Sequence, residues 1–501
     1  MVAAQHQWSV AWDATIQPQA FGWASVPVQT VFDGGLRLEA SVYATEAQKA
    51  KLLVLRCKYP AVPLAELTNG CTYPGRFKRV YVSKQHGENF FLPSQLNELS
   101  PEATKFLATK MTQEIDRLKV RENTLLITRS GTIGNCTITT KTLAGGIFSD
   151  DVIRLTLAQE HSLGYIYTYL TSQHGRAILQ SSNYGAVIQH IEPAHLLSLP
   201  IPDAPEIIKA RIHQIVTESF RLRDESNDLI KQARRSLQDA LKLPAIEDMA
   251  PPPNGGYGLV SFSVKASDLN QRLEANYHNL LAQAVTAHLL SYAAQVLKLG
   301  DTALTKDIIL PGRFKRVYVG EKQGVPFIGG KEILELDPRG EKYLSLKHHG
   351  KRIAEQLTLH ENMILLTCSG TIGKVNIVPK HWEGWAGSQH MLRAVPASAS
   401  WAGYLYVWLS SEWALPLIRR HTYGAVVFEI DQHQLAKVPV PLLADENQMR
   451  EINAIVLRAN ELRYLAFEKE QEALRVFNED VLGLSGEDVA ILRNHQSAQA
   501  Q

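Results

Sequence analysis

Cysteine is scarce in this sequence, with only four residues among 501. They are Cys57, Cys71, Cys136 and Cys368. No two of them form a C-x-x-C pair, so the spacing argues against a four-ligand zinc site and against a disulfide framework. Few, scattered cysteines are typical of a reducing compartment. The opening MVAAQHQWSV lacks the basic and apolar regions of a signal peptide, and we therefore expect a cytoplasmic protein.

The sequence also lacks a long uninterrupted apolar run and an excess of charge. The longest apolar stretch, residues 280–299, is interrupted by polar side chains and predicts a buried helix rather than a membrane span. The 52 basic and 50 acidic residues leave a formal net charge of +2. This balance argues against a protein that coats nucleic acid through bulk positive charge, but it permits local basic patches. With 45% apolar residues the chain can bury real cores, and its length predicts two to four domains.

Catalytic fingerprints are missing as well. The sequence has no phosphate-binding loop of the form G-x-x-x-x-G-K-[ST], no glycine-rich nucleotide turn and no [ND]-P-P-aromatic tetrad of DNA methyltransferases. It also has no H-E-x-x-H and no G-x-S-x-G motif. The isolated pair His348–His349 is interpreted as a surface feature rather than a metal site. These absences argue against an enzyme.

The clearest positive feature is an internal repeat. The nine residues PGRFKRVYV occur at 74–82 and again, unchanged, at 311–319. Further matches follow in the same order, at an offset that drifts only from 235 to 239. They are RLEA (37–40 and 272–275), EN-x-x-L-x-T-x-SGTIG (122–134 and 361–373), GY-x-Y-x-x-L-x-S (164–172 and 403–411), YGAV (184–187 and 423–426) and L-x-x-x-P-x-P (196–202 and 435–441). The chain is therefore a unit of about 240 residues that is used twice.

Each copy predicts an α+β fold. Its first part contains apolar runs typical of strands, such as LLIT or LLTC and VIRL or MLRA, separated by glycine turns. SGTIG between two such runs predicts a strand–turn–strand corner in which Gly131 and Gly370 can adopt positive φ. The last part of each copy predicts a long helix.

A heptad-like apolar stripe marks that helical end in both copies. It comprises Ile208, Ile212, Ile215, Leu222, Leu229, Ala233 and Ala240 in the first copy, and Ile452, Ile455, Ala459, Leu462, Ala466, Ala473 and Val476 in the second. Two such stripes can pair as an antiparallel coiled coil. Alternatively, each helix packs only on its own half; we favour the pair.

These features divide the chain into six segments. Residues 1–203 form a first β-rich domain with an extension over 1–36, and 204–243 form a first helical spacer. Residues 244–258 are a Pro/Gly linker, 259–442 a second β-rich domain, 443–482 a second helical spacer and 483–501 a polar tail.

The repeated PGRFKRVYV segment is basic and aromatic. The first copy carries Arg76, Lys78, Arg79 and Lys84 around Tyr81. The second carries Arg313, Lys315, Arg316 and Lys322 around Tyr318, with one acid, Glu321. Such a segment suits a nucleic-acid phosphate backbone. The alternative is a structural loop whose arginines pair with nearby acids.

The candidate DNA-binding residues fall into two classes, those that are the same in both copies and those that differ. A duplicated DNA reader with two different half-sites should keep its phosphate contacts and vary its base contacts. The kept positions are Arg76/Arg313, Lys78/Lys315, Arg79/Arg316, Tyr81/Tyr318, Ser130/Ser369, Thr132/Thr371 and Tyr184/Tyr423. The varied positions are Arg129/Cys368, Asn135/Lys374, Asp151/His390, Gln189/Phe428 and His190/Glu429. We predict that the varied positions lie nearer the bases.

The paired motifs resemble those of a known protein family. Two tandem β-rich domains, each with an [LI]-L-x-x-x-x-GTIG corner and a Y-G-A-V…L-x-x-[LV]-x-[IV]-P stretch before a long helix, resemble the specificity (S) subunit of type I restriction–modification systems, or of a closely related methylation-based defence system. RLEA is similar to the family's opening R-[LF]-[ED]-A element. The resemblance covers most of residues 37–482. PIPDAPEIIK and PVPLLADENQ depart from the family's P-P-L-x-E-Q-like segment, and residues 1–36 have no counterpart before the second copy.

The resemblance implies a non-catalytic subunit without a cofactor of its own. Each target-recognition domain would read one half of a split duplex DNA sequence, and the paired helices would fix the spacer between the halves. The subunit would dock two DNA adenine methyltransferase (M) subunits, which bring S-adenosylmethionine, and a restriction or translocase subunit can join them. Two other interpretations compete: a catalytic restriction or modification polypeptide, and an RNA-binding or scaffold module.

Overall fold

The computed structural model describes residues 28–33, 45–181, 190–249, 262–338, 342–424 and 426–485. It confirms a mixed α+β protein with two β-rich regions, each leading into a long helix. The predicted RLEA element of the first copy, its YGAV segment, most of the linker and most of the polar tail lie outside the described residues. Within the described part of the chain, no helix is both long and apolar enough to cross a membrane.

The first copy and its connector contain the following elements. The helices are α1 (Val28–Asp33), α2 (Thr45–Leu55), α3 (Ile115–Leu118), α4 (Leu163–Thr171), α5 (Gln173–Ser181), α6 (Pro193–Leu197), α7 (Glu206–Ala240) and α8 (Ile246–Met249). The strands are β1 (Ala61–Pro63), β2 (Thr68–Thr72), β3 (Tyr81–Val82), β4 (Gly87–Phe91), β5 (Lys105–Ala108), β6 (Leu125–Thr128), β7 (Cys136–Ile138), β8 (Ile147–Phe148), β9 (Val152–Leu157) and β10 (Pro200–Pro202).

The second copy follows the same plan. Its helices are α9 (Leu280–Tyr292), α10 (Leu346–Arg352), α11 (Ala399–Leu409), α12 (Ala414–Arg419), α13 (Gln432–Leu435) and α14 (Glu446–Val476). Its strands are β11 (Gln295–Lys298), β12 (Thr305–Ile309), β13 (Tyr318–Val319), β14 (Gly324–Ile328), β15 (Tyr343–Ser345), β16 (Ile364–Thr367), β17 (Val375–Ile377), β18 (Ala386–Gly387), β19 (Met391–Pro396) and β20 (Pro439–Leu442).

The strand order is the same in the two copies. One four-stranded sheet has the order β2-β9-β6-β7 in the first copy and β12-β19-β16-β17 in the second. A second sheet has the order β3-β5-β4-β8, matched by β13-β15-β14-β18, and a two-stranded sheet pairs β1 with β10, matched by β11 with β20. Strands β6 and β16 are central and buried along their whole length, which explains their unbroken apolar runs.

The two long helices lie side by side. Ser219 donates a hydrogen bond to the Ala466 carbonyl (2.8 Å), and Arg463 donates one to Ser226 (3.2 Å). Because residues later in α7 contact residues earlier in α14, the two helices run antiparallel. The same order continues to their far end, where Arg211 pairs with Asp480 (3.1 Å).

Each long helix contributes to both hydrophobic cores. The core of the first copy contains the early part of α7, such as Ile212 and Val216, and the residues around Phe477 that follow α14. The core of the second copy contains the late part of α7, such as Leu237, and the early part of α14, such as Ile452. Neither long helix therefore packs only on its own half of the chain.

The repeated G-Y pair has a packing role. Gly164 donates its backbone N–H to His213 on α7 (3.2 Å), and Gly403 donates to Asn453 on α14 (2.8 Å). The tyrosine that follows each glycine donates its hydroxyl to a proline carbonyl of the edge strand, β10 or β20. This repeated motif thus binds each β-rich region to its long helix.

Substituting Gly403 with alanine is expected to lower stability by about 1–3 kcal/mol, because the new β-carbon would lie 2.5 Å from the Asn453 carbonyl oxygen. The measurement is thermal or denaturant unfolding. Gly350→Ala is the matched control, since α10 leaves open space around that position and alanine favours a helix. Equal midpoints for Gly403→Ala and the wild-type protein would refute the close approach.

Candidate nucleic-acid interface

The SGTIG corner has the predicted backbone geometry in both copies. Gly131 has φ 77° and Gly370 has φ 72°, in the left-handed region that glycine enters without steric cost. The hydroxyl of the last residue of each central strand, Thr128 or Thr367, accepts the N–H of the residue after the corner at 3.0 Å. The corner therefore presents Thr132 and Thr371 to solvent at its exposed tip.

The turn before β9 or β19 packs beside this corner. The Arg129 N–H donates to the Asp151 carbonyl (2.8 Å), and the equivalent Cys368 N–H donates to the His390 carbonyl (3.1 Å). Ser130 also donates its hydroxyl to the Asp151 carboxylate (2.6 Å). Asp151 is thus hydrogen-bonded within the corner.

The basic loop is held against this turn by its second arginine. Arg79 forms an ion pair with Asp150, and its guanidinium lies 5.4 Å from the centre of the Phe90 ring. In the second copy, Arg316 donates to the Gln389 side chain (3.0 Å) and lies 5.4 Å from the Phe327 ring. The acid of the first copy is an amide in the second, yet the same contact forms. Arg79 and Arg316 therefore hold the loop in place, and a phosphate contact for them remains a prediction.

The other basic residues of the loop point outward. The Arg76 side chain is 98% exposed, with its nearest Asp150 oxygen at 4.0 Å. Arg313 is 80% exposed and pairs with Glu429 at 3.0 Å. The remaining exposed cations of the two loops are Lys78, Lys84, Lys315 and Lys322. Each copy thus joins a rigid corner to a loop with solvent-exposed positive charge.

The aromatic members of the candidate set differ in exposure. Tyr81 is 44% exposed and packs near Phe90, whereas Tyr318 is half-buried and packs near Phe327 at 5.9 Å. Tyr423 is 41% exposed and exchanges two backbone hydrogen bonds with Glu429. Tyr184, which matches Tyr423, and Gln189, which matches Phe428, lie outside the described residues.

The varied residues are more constrained than the sequence predicts. Arg129 forms an ion pair with Glu192 and lies 4.6 Å from the Tyr73 ring. His190 is half-buried and forms a β-bridge with Ser130, matched by Ser369 with Glu429. These contacts bring the region around residue 190 or 429 beside the corner.

Lys374 and Asn135 lie at the junction of the two copies. The Lys374 ammonium, in the second copy, bonds to Glu98 of the first copy at 3.0 Å. Asn135, its equivalent, lines a cavity of about 190 Å³ with Glu335, Asp337 and Arg176. This junction is a location that sequence comparison did not predict for either residue.

The pair His348–His349, interpreted from the sequence as a surface feature, includes one residue that contacts the basic loop. His349 accepts a hydrogen bond from the Val317 N–H (3.1 Å) and packs against Phe314, so it supports the basic loop of the second copy. Among the described residues, no group of histidine, cysteine or acidic side chains could hold a metal ion.

The junction also shows how the copies are related. Glu98 and Glu335 occupy equivalent positions in the repeated segments LNELSP and ILELDP, and they form an antiparallel bridge with each other. The Leu99 N–H donates to the Leu334 carbonyl at 2.8 Å. Because a residue meets its own equivalent, a pseudo-two-fold axis passes through this bridge. The repeated E-L-x-P is the sequence signal that could have located it.

The junction is electrostatically asymmetric. Lys374 neutralises Glu98 on one side, whereas the equivalent Asn135 carries no charge to offer Glu335. Burial is the main cause that raises the pKa of Glu335 to about 8, and repulsion from the nearby Glu332, Asp337 and Glu98 adds to it. Its protonated form is therefore favoured in the folded state.

This raised pKa predicts a pH-dependent stability. The folded protein keeps a proton on Glu335 that the unfolded chain releases near pH 4.5, so stability falls as pH rises from about 4.5 to about 8. Glu335→Gln should remove this loss and raise Tm increasingly over that range, measured by thermal unfolding at several pH values.

The equivalent substitution supplies the control. Glu98→Gln should instead lower Tm slightly at neutral pH, because Lys374 loses its ion pair. Parallel Tm–pH profiles for wild type and Glu335→Gln would contradict the assignment.

Comparisons with known proteins found matches among solved structures, at low sequence identity. No family model and no curated protein matches the chain. The S subunit of a type I restriction–modification system from M. genitalium is 13% identical and matches at a TM-score of 0.29, covering 88% of this chain and 96% of that chain. The HsdS subunit from Thermoanaerobacter tengcongensis is 14% identical, with a TM-score of 0.26 and coverage of 85% and 97%. A chain from a structure of type I R-M complex assembly is 13% identical, with a TM-score of 0.27 and coverage of 88% and 97%.

Proposed function

We propose that the chain is a non-catalytic DNA specificity subunit that reads a bipartite duplex target. One observation carries the proposal: the chain holds two copies of the same exposed basic loop and rigid corner, related by a pseudo-two-fold axis. Duplex DNA has matching two-fold character, so a reader with this symmetry meets each half of a split target in a similar way.

Within each copy, the solvent exposure of the side chains indicates which residues would contact phosphates and which would contact bases. The outward-pointing Arg76, Lys78, Arg313 and Lys315 suit phosphate oxygens, which fix register without reading sequence. The kept corner residues Ser130, Thr132, Ser369 and Thr371 are proposed to contact the phosphate backbone. The adjoining His190 and His390, at varied positions, are proposed to approach the base edges. Lys374 and Asn135 are proposed to act through the junction instead, since they contact or face the other copy.

The antiparallel helices are proposed to form a coiled coil that sets the distance between the half-sites. At 1.5 Å per residue, the 35 residues of α7 span about 52 Å. The stripe residues Ile212, Ala233, Ile452 and Ala473 are buried, while the outer faces carry both charges. We propose that 204–243 and 443–482 act as spacers, that 1–203 and 259–442 act as recognition domains, and that the complex resides in the cytoplasm.

Methyltransferase subunits are the proposed partners. The chain offers no cofactor motif, so the methyl donor S-adenosylmethionine is expected on two M subunits docked to the helical region. These subunits would flip the target adenines. A restriction subunit is proposed as a further member of the same assembly.

A direct test compares this proposal with its two competitors. The purified chain should bind duplex DNA in preference to RNA of equal length in a competition assay. Incubated alone with target DNA, Mg²⁺ and labelled S-adenosylmethionine, it should neither cleave nor methylate. Preference for RNA would favour an RNA-binding or scaffold module, and any turnover would favour a catalytic polypeptide.

A further inference from the structure

An exposed apolar tip stands on the basic face of the second copy. It consists of Val426, Val427 and Phe428, whose exposed fractions are 95%, 51% and 52%. Three consecutive large apolar side chains in solvent are unfavourable for an isolated protein, because each forgoes burial. The tip therefore suggests a surface that is covered in a complex.

Backbone hydrogen bonds hold the base of the tip. Tyr423 and Glu429, which flank the tip, exchange backbone hydrogen bonds of 2.9 and 2.8 Å. Gly424 has φ 108°, and a β-carbon there would lie 2.2 Å from the Val427 carbonyl oxygen. Glycine is therefore favoured at position 424, beside the base of the tip.

The surroundings of the tip indicate what covers it. The Gly370 N–H of the corner donates to the Phe428 carbonyl (3.3 Å), and Arg313 of the basic loop pairs with Glu429 (3.0 Å). An apolar tip beside exposed cations matches a DNA groove, where phosphates line the rim and base edges lie inside. In the major groove, the apolar feature of a base edge is the thymine methyl group.

We propose that the apolar tip enters the major groove of one half-site and reads thymine through contact with its 5-methyl group. This inference rests on the proposed function, in that it presumes duplex DNA as the ligand. The first copy has Gln189 where the second has Phe428. A glutamine reads adenine by hydrogen bonds, so the two copies would use different chemistry for different halves.

The test uses the chain co-purified with its methyltransferase and duplexes that carry the target mapped by adenine methylation. Replacing thymines by deoxyuridine, one half-site at a time, removes only the methyl groups. In one half-site, affinity should fall about fourfold per contacted methyl group. The double variant Val427→Ala/Phe428→Ala should bind the thymine duplex about tenfold more weakly and lose its sensitivity to deoxyuridine in that half-site.

Leu290→Ala is the matched control, since Leu290 is 69% exposed on α9, and it should bind like the wild type. The proposal is overturned if the double variant keeps the deoxyuridine effect, or if no thymine methyl in either half-site matters. It is also overturned if the variant keeps DNA affinity but no longer retains the methyltransferase, which would make the tip a protein-docking surface. Failure of the wild-type complex to bind duplex DNA would instead refute the proposed function.

Discussion

Replacing Arg76 and Lys78 together with glutamate is expected to weaken binding to duplex DNA about 100-fold, whatever the sequence of the duplex. Both side chains are exposed on the basic loop, and Arg76 has only a distant ion pair. Two phosphate contacts would be lost and two like charges would face the backbone. The slope of log affinity against log salt should fall by about two, because fewer counterions are released.

A charge reversal elsewhere controls for net charge. Lys231 lies on α7 and is 54% exposed beside Asp228, so Lys231→Glu should leave the salt slope unchanged. Fluorescence anisotropy over a salt series, with target and non-target duplexes, provides both numbers. A loss confined to one target sequence would mean that Arg76 and Lys78 read bases rather than phosphates.

Glu470→Ala is expected to destabilise the protein by about 3 kcal/mol. Glu470 is 3% exposed, pairs with Arg223 of α7 and accepts the Tyr167 hydroxyl of α4 at 2.7 Å. Removing one partner of a buried pair leaves the other charge desolvated without compensation. The substitution therefore loosens the contact among both long helices and the first copy.

A neighbouring acid on the same helix supplies the comparison. Glu472 pairs with Lys469 at 2.7 Å, and both side chains are about one-third exposed. Glu472→Ala should change stability by less than about 0.5 kcal/mol. Denaturant unfolding with two probes measures both variants. Similar midpoints for the two would show that the Glu470 contacts do not hold the helices together.

Local features of the fold could be predicted from the sequence because local residues determine them. Gly131 and Gly370 fall at turns that need positive φ, and the apolar run of β6 reflects its central position. The α+β class followed from the same patterns. The kept G-Y pair, by contrast, is kept for packing, which repetition alone does not reveal.

Contacts between distant segments were beyond the sequence patterns. No residue near Arg79 in the sequence indicates that Arg79 forms an ion pair with Asp150. Likewise, the sequence does not indicate that Lys374 forms an ion pair with Glu98 of the other copy. Such pairs depend on how the sheets and helices pack, which periodicity does not encode. The division into kept phosphate contacts and varied base contacts accordingly stays a prediction. Arg79 and Arg316 already contact side chains of the turn before β9 or β19.

The most direct test of a bipartite reader is a methylation map. The chain is co-expressed with its neighbouring genes, and methylated adenines are located across the host genome. We predict one split motif, with two short specified halves, an unspecified spacer of fixed length and a methylated adenine in each half. An uninterrupted short motif, or no new methylation, would contradict it.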